Sequence, residues 1–592
     1  MKGIRTALAL FAACACGARA AGPAQAIPWQ DWSSGAFAQA RSEGKFVILD
    51  LEAVWCHWCH VMDTTTYSDP RVISLLNDRY VTVRVDQDSR PDLANRYEDF
   101  GWPATVIYAA DGTEIVKKQG YIPPDGMVRL LLAVMADPSP VDYGGSGPAE
   151  PAAGGALSAD RRSALIAQWI KGYDDKAGGW GFDHKYLDWD SVEFAMRRAA
   201  RGDARSEHMA RETLRLQRRL LDPAWGGVYQ YSAGGDWNEP HFEKIMSMQA
   251  ENLRLYSMAY AQWGDPSYLA AAKAIHRYLQ VFLKGPDGAF FTSQDADLVP
   301  GEHSADYFAL DDAGRRGRGI PRVDRHVYAR ENGWAIAALA QFAASTGDGS
   351  ALAEAERAAE WVEVHRSLPG GGFRHDARDA AGPYLGDSLA MGGAFYALFQ
   401  ATGKSRWLDR AAAAADFIRS HFSRGASQGY ASSDTTVWSF PPPGPEFDEN
   451  VALSRLASAI GDATGRPEFR AMSGSALRWV LAPALTSRRG YYVGGALLAE
   501  EEAGTDPLHV MILGRKDDPG ARAMHAVALR LPTAHKLVEW WDRSEGPPPR
   551  GEDIYPAYPR AAAFLCANGA CSSPMFSPQA LADRLVKAGA PR

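Results

Sequence analysis

The chain has 592 residues, 46% of them hydrophobic and 23% charged, and a formal net charge of −8. That length points to about three domains rather than one, and the acidic balance excludes a nucleic-acid-binding surface. Beyond the N-terminus no apolar run is long enough to cross a bilayer.

Lys2 and Arg5 precede an apolar stretch over 6–18 that is too short to span a membrane. Ala18-Arg19-Ala20 and Ala24-Gln25-Ala26 are small-x-small cleavage sites. Residues 1–26 therefore read as a secretory signal removed after Ala26, which places the chain in the periplasm or outside the cell. Cys14 and Cys16 leave with the signal; a lipid-attached Cys14 is the alternative. Cys56, Cys59, Cys566 and Cys571 remain. An even number permits disulfides in an exported chain, but four are too few for a structural framework, so their purpose is local.

Residues 27–137 read as an α/β unit. A helix over 32–43 ends at Gly44, and Phe46-Val47-Ile48-Leu49-Asp50-Leu51 has the composition of a strand. Val54-Trp55-Cys56-His57-Trp58-Cys59-His60-Val61-Met62 follows, with no Gly or Pro until Pro70, so a helix begins at the cysteines. A thiol there meets unpaired backbone N–H groups and the positive end of the helix dipole, which favour its thiolate. Asp69-Pro70 opens another helix, and residues 81–85 alternate as a strand. Gly101-Trp102-Pro103 turns into a strand over 104–108. Asp111-Gly112 is a hairpin turn with a return strand over 114–119, and a helix over 127–135 closes the unit.

This order resembles the thioredoxin fold. Asp50 stands where thioredoxins bury an acid, Trp55 precedes the first cysteine as in their Trp-Cys-x-x-Cys motif, and Pro103 stands where they have a cis-proline facing the dithiol. The resemblance implies Cys56 as attacking thiol, Cys59 as resolving thiol and Asp50 as proton acceptor for Cys59. The intervening His57-Trp58 departs from thioredoxin. A histidine there stabilises the thiolate, so a more oxidising couple is expected. A stable local Cys56–Cys59 disulfide and metal ligation by Cys56, Cys59 and His60 are the competing outcomes. Neighbouring residues on a helix point about 100° apart, so the Cys-His pairs cannot all converge on one ion. No motif calls for a cofactor or a dedicated metal site.

Residues 138–160, with Gly144-Gly145-Ser146-Gly147-Pro148, read as a linker. From 161 to 503, Ala-rich helical stretches alternate with glycine-aromatic loops at Gly179, Gly227, Gly288, Gly372, Gly429 and Gly490. A second marker falls between helices at Gly264, Gly347, Gly403 and Gly465. Six units of about sixty residues form a repeat, and an (α/α)6 toroid is the expected closure. The long interval after Gly288 holds an insertion over 295–330, basic and Gly-rich at 314–319, which reads as a lid or cleft-edge loop. Residues 504–592 have a smaller α/β texture, with strands over 508–513 and 535–540. Cys566 and Cys571 there are expected to close a small disulfide; a second redox pair relaying to Cys59 is the sharper alternative.

In the toroid, Pro240-His241-Phe242-Glu243-Lys244 is expected to start a helix on the cleft side, with His241 and Glu243 as an acid/base pair or as ordinary cap and loop residues. Asp188, Asp190, Glu239, Glu331, Asp387 and Glu449 open inner helices or sit in loops, where dipole compensation accounts for most of them. Asp295 and Asp297 differ, standing in an aromatic loop ahead of the insertion. The 18 Trp and 23 Tyr suit loops around a cleft, including a carbohydrate cleft, as well as a large core.

Taken together, Trp55 to Met62, Val85-Asp86, Arg90-Pro91-Asp92, Gly101-Trp102-Pro103, Trp225 to Tyr231, Pro240 to Lys244, Ser293 to Asp297 and Cys566 to Cys571 resemble the family of spermatogenesis-associated protein 20 and its bacterial thioredoxin-domain relatives. Their toroid is similar to that of six-hairpin glycosidases and N-acylglucosamine 2-epimerases, an analogy of fold that supplies no reaction. After Lys244 the relatives carry a Met-Leu-Tyr-Asp-like run, whereas this chain has Ile245-Met246-Ser247-Met248. The expected function is thiol-disulfide exchange, with a protein thiol or disulfide partner held by the toroid. The alternatives are a carbohydrate-active or epimerase-like toroid with an accessory domain, taking a carbohydrate-like small molecule, and a non-catalytic binding protein.

Overall fold

The computed structural model describes residues 26–143, 156–379, 381–425, 427–434, 442–533, 535–548, 555–567 and 570–587. The expected leader up to residue 25, with Cys14 and Cys16, and the glycine-rich run over 144–148 lie outside the described residues. Among the described residues no helix is long and apolar enough to cross a membrane.

The first unit runs α1 (Ser34–Glu43), β1 (Phe46–Glu52), α2 (His57–Thr65), α3 (Pro70–Arg79), β2 (Tyr80–Asp86), α4 (Pro91–Tyr97), β3 (Ala104–Tyr108), β4 (Glu114–Gln119) and α5 (Pro124–Ala136). Its sheet has the order β2-β1-β3-β4, with β1 parallel to β2 and antiparallel to β3. Alternation along β1 divides the core. Val47, Leu49 and Leu51 pack with α1 and α4, while Ile48 packs with Met62, Leu76 and Leu131 of α2, α3 and α5. The sequence reading contains no α4, because seven residues behind a proline carry too little periodicity to be recognised.

The ring follows: α6 (Ala159–Lys171), α7 (Trp189–Ala200), α8 (Ala204–Gln217), β5 (Tyr231–Ser232), β6 (Pro240–His241), β7 (Lys244–Ile245), α9 (Met246–Trp263), α10 (Pro266–Tyr278), β8 (Ser293–Gln294), α11 (Ala305–Phe308), α12 (Asp312–Arg318), β9 (Val323–Asp324), α13 (Ala329–Thr346), α14 (Gly349–Arg366), α15 (Leu385–Thr402), α16 (Ser405–His421), α17 (Phe447–Thr464), α18 (Pro467–Val480), α19 (Pro483–Arg488) and α20 (Gly494–Gly504). Helices α7, α9, α13, α15, α17 and α20 each pack on the next, and α20 returns to α7. The outer helices α8, α10, α14, α16 and α18 lie on their inner partners, and α6 lies on α20, so the chain closes its own circle.

Two local devices repeat. Gly264, Gly347, Gly403 and Gly465 end the inner helices in the left-handed conformation, where a residue without Cβ is favoured. The glycine-aromatic loops are clamped by the fourth residue of an inner helix: Gln249 bonds both backbone groups of Val228, Asn332 those of Phe290 and Asn450 those of Tyr430.

Pro240–His241 and Lys244–Ile245 are extended rather than helical, and the helix starts at Met246. The strand pairings of β5 with β6 and of β7 with β8 outcompete helix formation there. The insertion, expected as a lid or cleft-edge loop, is anchored through its basic run. Arg315 is buried and, with Lys244, holds Asp222 Oδ2, each at 2.6 Å.

The last unit comprises β10 (Leu508–Leu513), α21 (Pro519–Leu529), β11 (Lys536–Trp541), β12 (Ala562–Ala567), β13 (Ala570–Cys571) and α22 (Pro578–Lys587). Its order, β11-β10-β12-β13, with one parallel and two antiparallel pairings, reproduces that of the first sheet. It covers the C-terminal ends of the inner helices: Lys516 Nζ donates to Gly403 O at 2.8 Å, and His525 Nε2 donates to Gln400 O at 2.9 Å. The first unit covers the opposite mouth.

Candidate active site at the domain interface

Cys56 is the N-cap of α2 and is disulfide-bonded to Cys59; its Sγ accepts the Cys59 N–H at 3.1 Å. Both are buried against Trp55, Trp102 and Ile245, the last belonging to the toroid. The Trp102–Pro103 bond is cis. With the cysteines bonded to each other and His60 turned elsewhere, the Cys56/Cys59/His60 metal arrangement is not the one formed.

Residues 57 and 60 share one face of α2, as i and i+3 positions do, and both point at the insertion loop. His57 Nδ1 lies 2.7 Å from Asp297 Oδ1, and His60 Nδ1 lies 3.1 Å from Oδ2. Burial opposes the charge on the two imidazoles, but the Asp297 hydrogen bond together with the charges of Asp297 and the neighbouring carboxylates outweighs it and raises both. Burial likewise opposes ionisation of Asp297, yet the two histidines hold it at about 2. The positive charge expected of His57 is therefore matched by Asp297, and the Cys59 N–H is the donor seen on Cys56 Sγ. Asp295 does not meet the dithiol. It caps the Asp297 N–H at 2.9 Å and lies 3.7 Å from His60, with burial pushing it to about 6.

Glu243 is almost wholly buried, and its Oε1 faces the His57 N–H at 3.4 Å. Oε2 has no hydrogen-bond partner among the described residues. Burial pushes this carboxyl up to about 7. His241, expected as its acid/base partner, instead stacks on Tyr231 at 4.2 Å, and burial lowers it to about 4. Asp50 is buried as a thioredoxin acid would be, but its Oδ2 is paired with Arg84 at 2.9 Å; burial, opposed by that arginine, leaves it at about 6. Trp58 projects from the interface, 40% exposed, over Tyr121.

Beside this site the first unit enters the mouth of the ring. Trp55 Nε1 donates to Asp88 Oδ2 at 2.7 Å. His375 Nε2 donates to the Asp88 carbonyl at 2.6 Å while Nδ1 meets Asp387 Oδ1 at 2.8 Å. A carbonyl and a carboxylate both accept, so His375 is an imidazolium; burial is outweighed by Asp387 and its pKa rises to about 9. Glu331, Asp387 and Glu449 each occupy the third residue of their inner helix, and the Arg330 side chain pairs with Glu331 at 2.6 Å. In α9 that register holds Met248. Asp190 and Asp188 lie at the start of α7, pushed by burial to about 8 and about 6, and Glu239 belongs to the loop before β6. The sequence reading missed Asp88 and His375; nothing local marks them, since each gains its meaning from a partner on another unit.

Cys566 and Cys571 are cross-strand neighbours in β12 and β13 and are disulfide-bonded. Cys566 packs with Met511, Leu513 and Trp541 in the last unit, which covers the end of the ring remote from Cys59.

A family model, Thioredox_DsbH, described as a protein of unknown function (DUF255), matches residues 20–135. Spermatogenesis-associated protein 20 of Mus musculus is 27% identical over 310 residues, covering 46% of this chain and 39% of the mouse protein. The chain thus matches well under half of that relative's length. Thiol:disulfide interchange protein DsbD of Pseudomonas fluorescens is 34% identical over 83 residues, 14% of each chain. Among solved structures, D-mannose isomerase superposes with a TM-score of 0.45 at 12% identity, covering 58% of this chain and 97% of that one. Thioredoxin-like at its N-terminus and toroidal beyond it, the chain is similar in sequence to spermatogenesis-associated protein 20.

Proposed function

We propose that the protein is an exported thiol-disulfide oxidoreductase whose dithiol and toroid loops form one site. The division into units over 27–137, 161–503 and 504–592 fits the elements described above. The observation that carries the reading is the placement of Glu243, an otherwise unpartnered carboxyl from the toroid, over the N-terminal turn that bears Cys56. Thiolate attack on the disulfide passes through a mixed disulfide; the attacking or resolving thiol must lose a proton and the departing thiolate gain one, so the site needs a group that exchanges a proton near neutral pH. Glu243 has that property, whereas Asp50 is held by Arg84.

The test is the equilibrium of the Cys56–Cys59 pair with a thiol redox buffer, followed by alkylation of the freed thiols, with Cys56→Ser as control. A disulfide that no buffer reduces in the folded protein would sink the reading and leave the toroid as a binding platform. An epimerase-like or glycosidase-like toroid is the second reading, favoured by the gathering of Glu331, Asp387 and Glu449 at the mouth. Residues 86–95 occupy that mouth here, so sugar turnover abolished by Glu331→Gln, with the dithiol unaffected, would restore it.

A further inference from the structure

Beside Cys56 a cleft of about 550 Å³ opens between the two units. Its size is that of a small-molecule site, roughly 300–1,000 Å³. The first unit contributes Trp58, Trp102 and Tyr121, and the toroid contributes Tyr186, Tyr231 and Met248. Cys56 lines the cleft and is only 3% exposed, so it is recessed in the cleft wall rather than displayed on a convex surface. Among the described residues no lysine or arginine lines it, while Glu98, Asp99, Glu243 and one imidazole, His184, do; Glu98 is paired with Arg489 at 3.3 Å, which leaves Asp99 and Glu243 to set the acidic balance. Met248 holds the position at which α13, α15 and α17 carry acids, which makes that part of the floor apolar.

Given the oxidoreductase reading above, we propose that the substrate of the dithiol is a low-molecular-weight thiol, or its disulfide, with a largely apolar body that is neutral or cationic. Aromatic walls bind such a body and stack on a cation. A folded surface is hindered from bringing a cysteine to a sulfur so little exposed, and an anionic thiol meets three carboxyl groups against a single imidazole, that of His184. The chemistry balances without another reagent. A substrate thiolate attacks Cys56 Sγ; the Cys56–Cys59 bond breaks, and Cys59 leaves with the electron pair and takes up a proton. A second substrate thiolate attacks the substrate's own sulfur in the mixed disulfide; the bond to Cys56 Sγ breaks and Cys56 thiolate is released. Two thiolates become one disulfide, and their two electrons reduce the protein.

The experiment mixes the oxidised full-length protein with cysteamine, benzyl mercaptan, glutathione, a flexible cysteine-containing peptide of twenty residues or a reduced protein dithiol. Each rate is normalised to that thiol's rate with hydroxyethyl disulfide. Cysteamine and benzyl mercaptan are expected to exceed glutathione at least tenfold and the protein dithiol at least a hundredfold. Tyr231→Ala is expected to slow benzyl mercaptan about tenfold while leaving the reduction potential unchanged. A peptide or protein dithiol as fast as cysteamine overturns the size restriction, and glutathione as fast as cysteamine overturns the charge preference; either leaves the oxidoreductase reading standing. A disulfide inert to every thiol removes both.

Discussion

The two α/β units cap opposite ends of one ring with the same strand order and the same strand directions, yet their disulfides sit in different physical settings. In the first unit the cysteines occupy the junction between the central strand and the following helix. There a sulfur receives a helix N–H, and the N–H of the next residue, His57, faces a toroid carboxyl. In the last unit the corresponding junction, Gly514 to Asp518, has no cysteine, and the disulfide closes a hairpin. A sheet of this kind therefore does not confer thiol chemistry. On the function proposed above, position at a helix N-terminus and the groups that the ring brings up to it do.

The sharpest way to break this comparison is to remove one sulfur from each end. Cys56→Ser is expected to reduce thiol exchange by at least a hundredfold, read by single-turnover alkylation. The double change Cys566→Ser with Cys571→Ser is expected to leave exchange unaltered and to destabilise the last unit by about 2 kcal/mol, from the entropy of a short closed loop, read as a lower urea midpoint. Equal loss of exchange from both ends would mean that the pairs communicate. Next in size, Glu243→Gln is expected to slow exchange about tenfold at pH 8 and to flatten the rate profile around pH 7. The wild-type carboxyl becomes a base above about 7; an unchanged profile would leave the proton step to another group.

The docking of the first unit offers a subtler contrast, because its seal contains a charged histidine. The pKa of His375 is raised to about 9, above the ordinary histidine value of about 6.5. Its stabilisation is thus fully present below about 6.5 and is lost as pH rises through about 9. Amide exchange of residues 86–95 should accelerate several-fold between pH 7 and 10 beyond the intrinsic chemical rate, and His375→Gln should abolish that excess. Smallest of all, Asn332→Ala is expected to cost about 1–3 kcal/mol through the unpaired backbone groups of Phe290, with no change at the dithiol.

Much of the architecture is legible because its causes are local. The strand-to-helix turn at Cys56, the glycine caps of the inner helices and the glycine-aromatic loops depend on neighbours within a few residues. Errors arise where distant pairing overrides such preferences. Residues 240–245 are extended because β5 and β8 offer them strand partners, and the basic run around Arg315 is partly buried because Asp222 requires cations. Asp295 and Asp297 stood out in sequence as loop acids beside aromatics, yet their partners, His57 and His60, lie about 240 residues away.

By itself the sequence determined the dithiol and its helix, the six-unit repeat and the ring that the repeat implies, since period and capping are short-range properties. Only the tertiary structure decided that the dithiol faces the ring, that Glu243 lies over its helix and that Asp297 binds both histidines. Those contacts depend on how two finished surfaces fit, and the free energy of burying a carboxyl or an imidazole is set by that fit rather than by the residues adjacent in the chain.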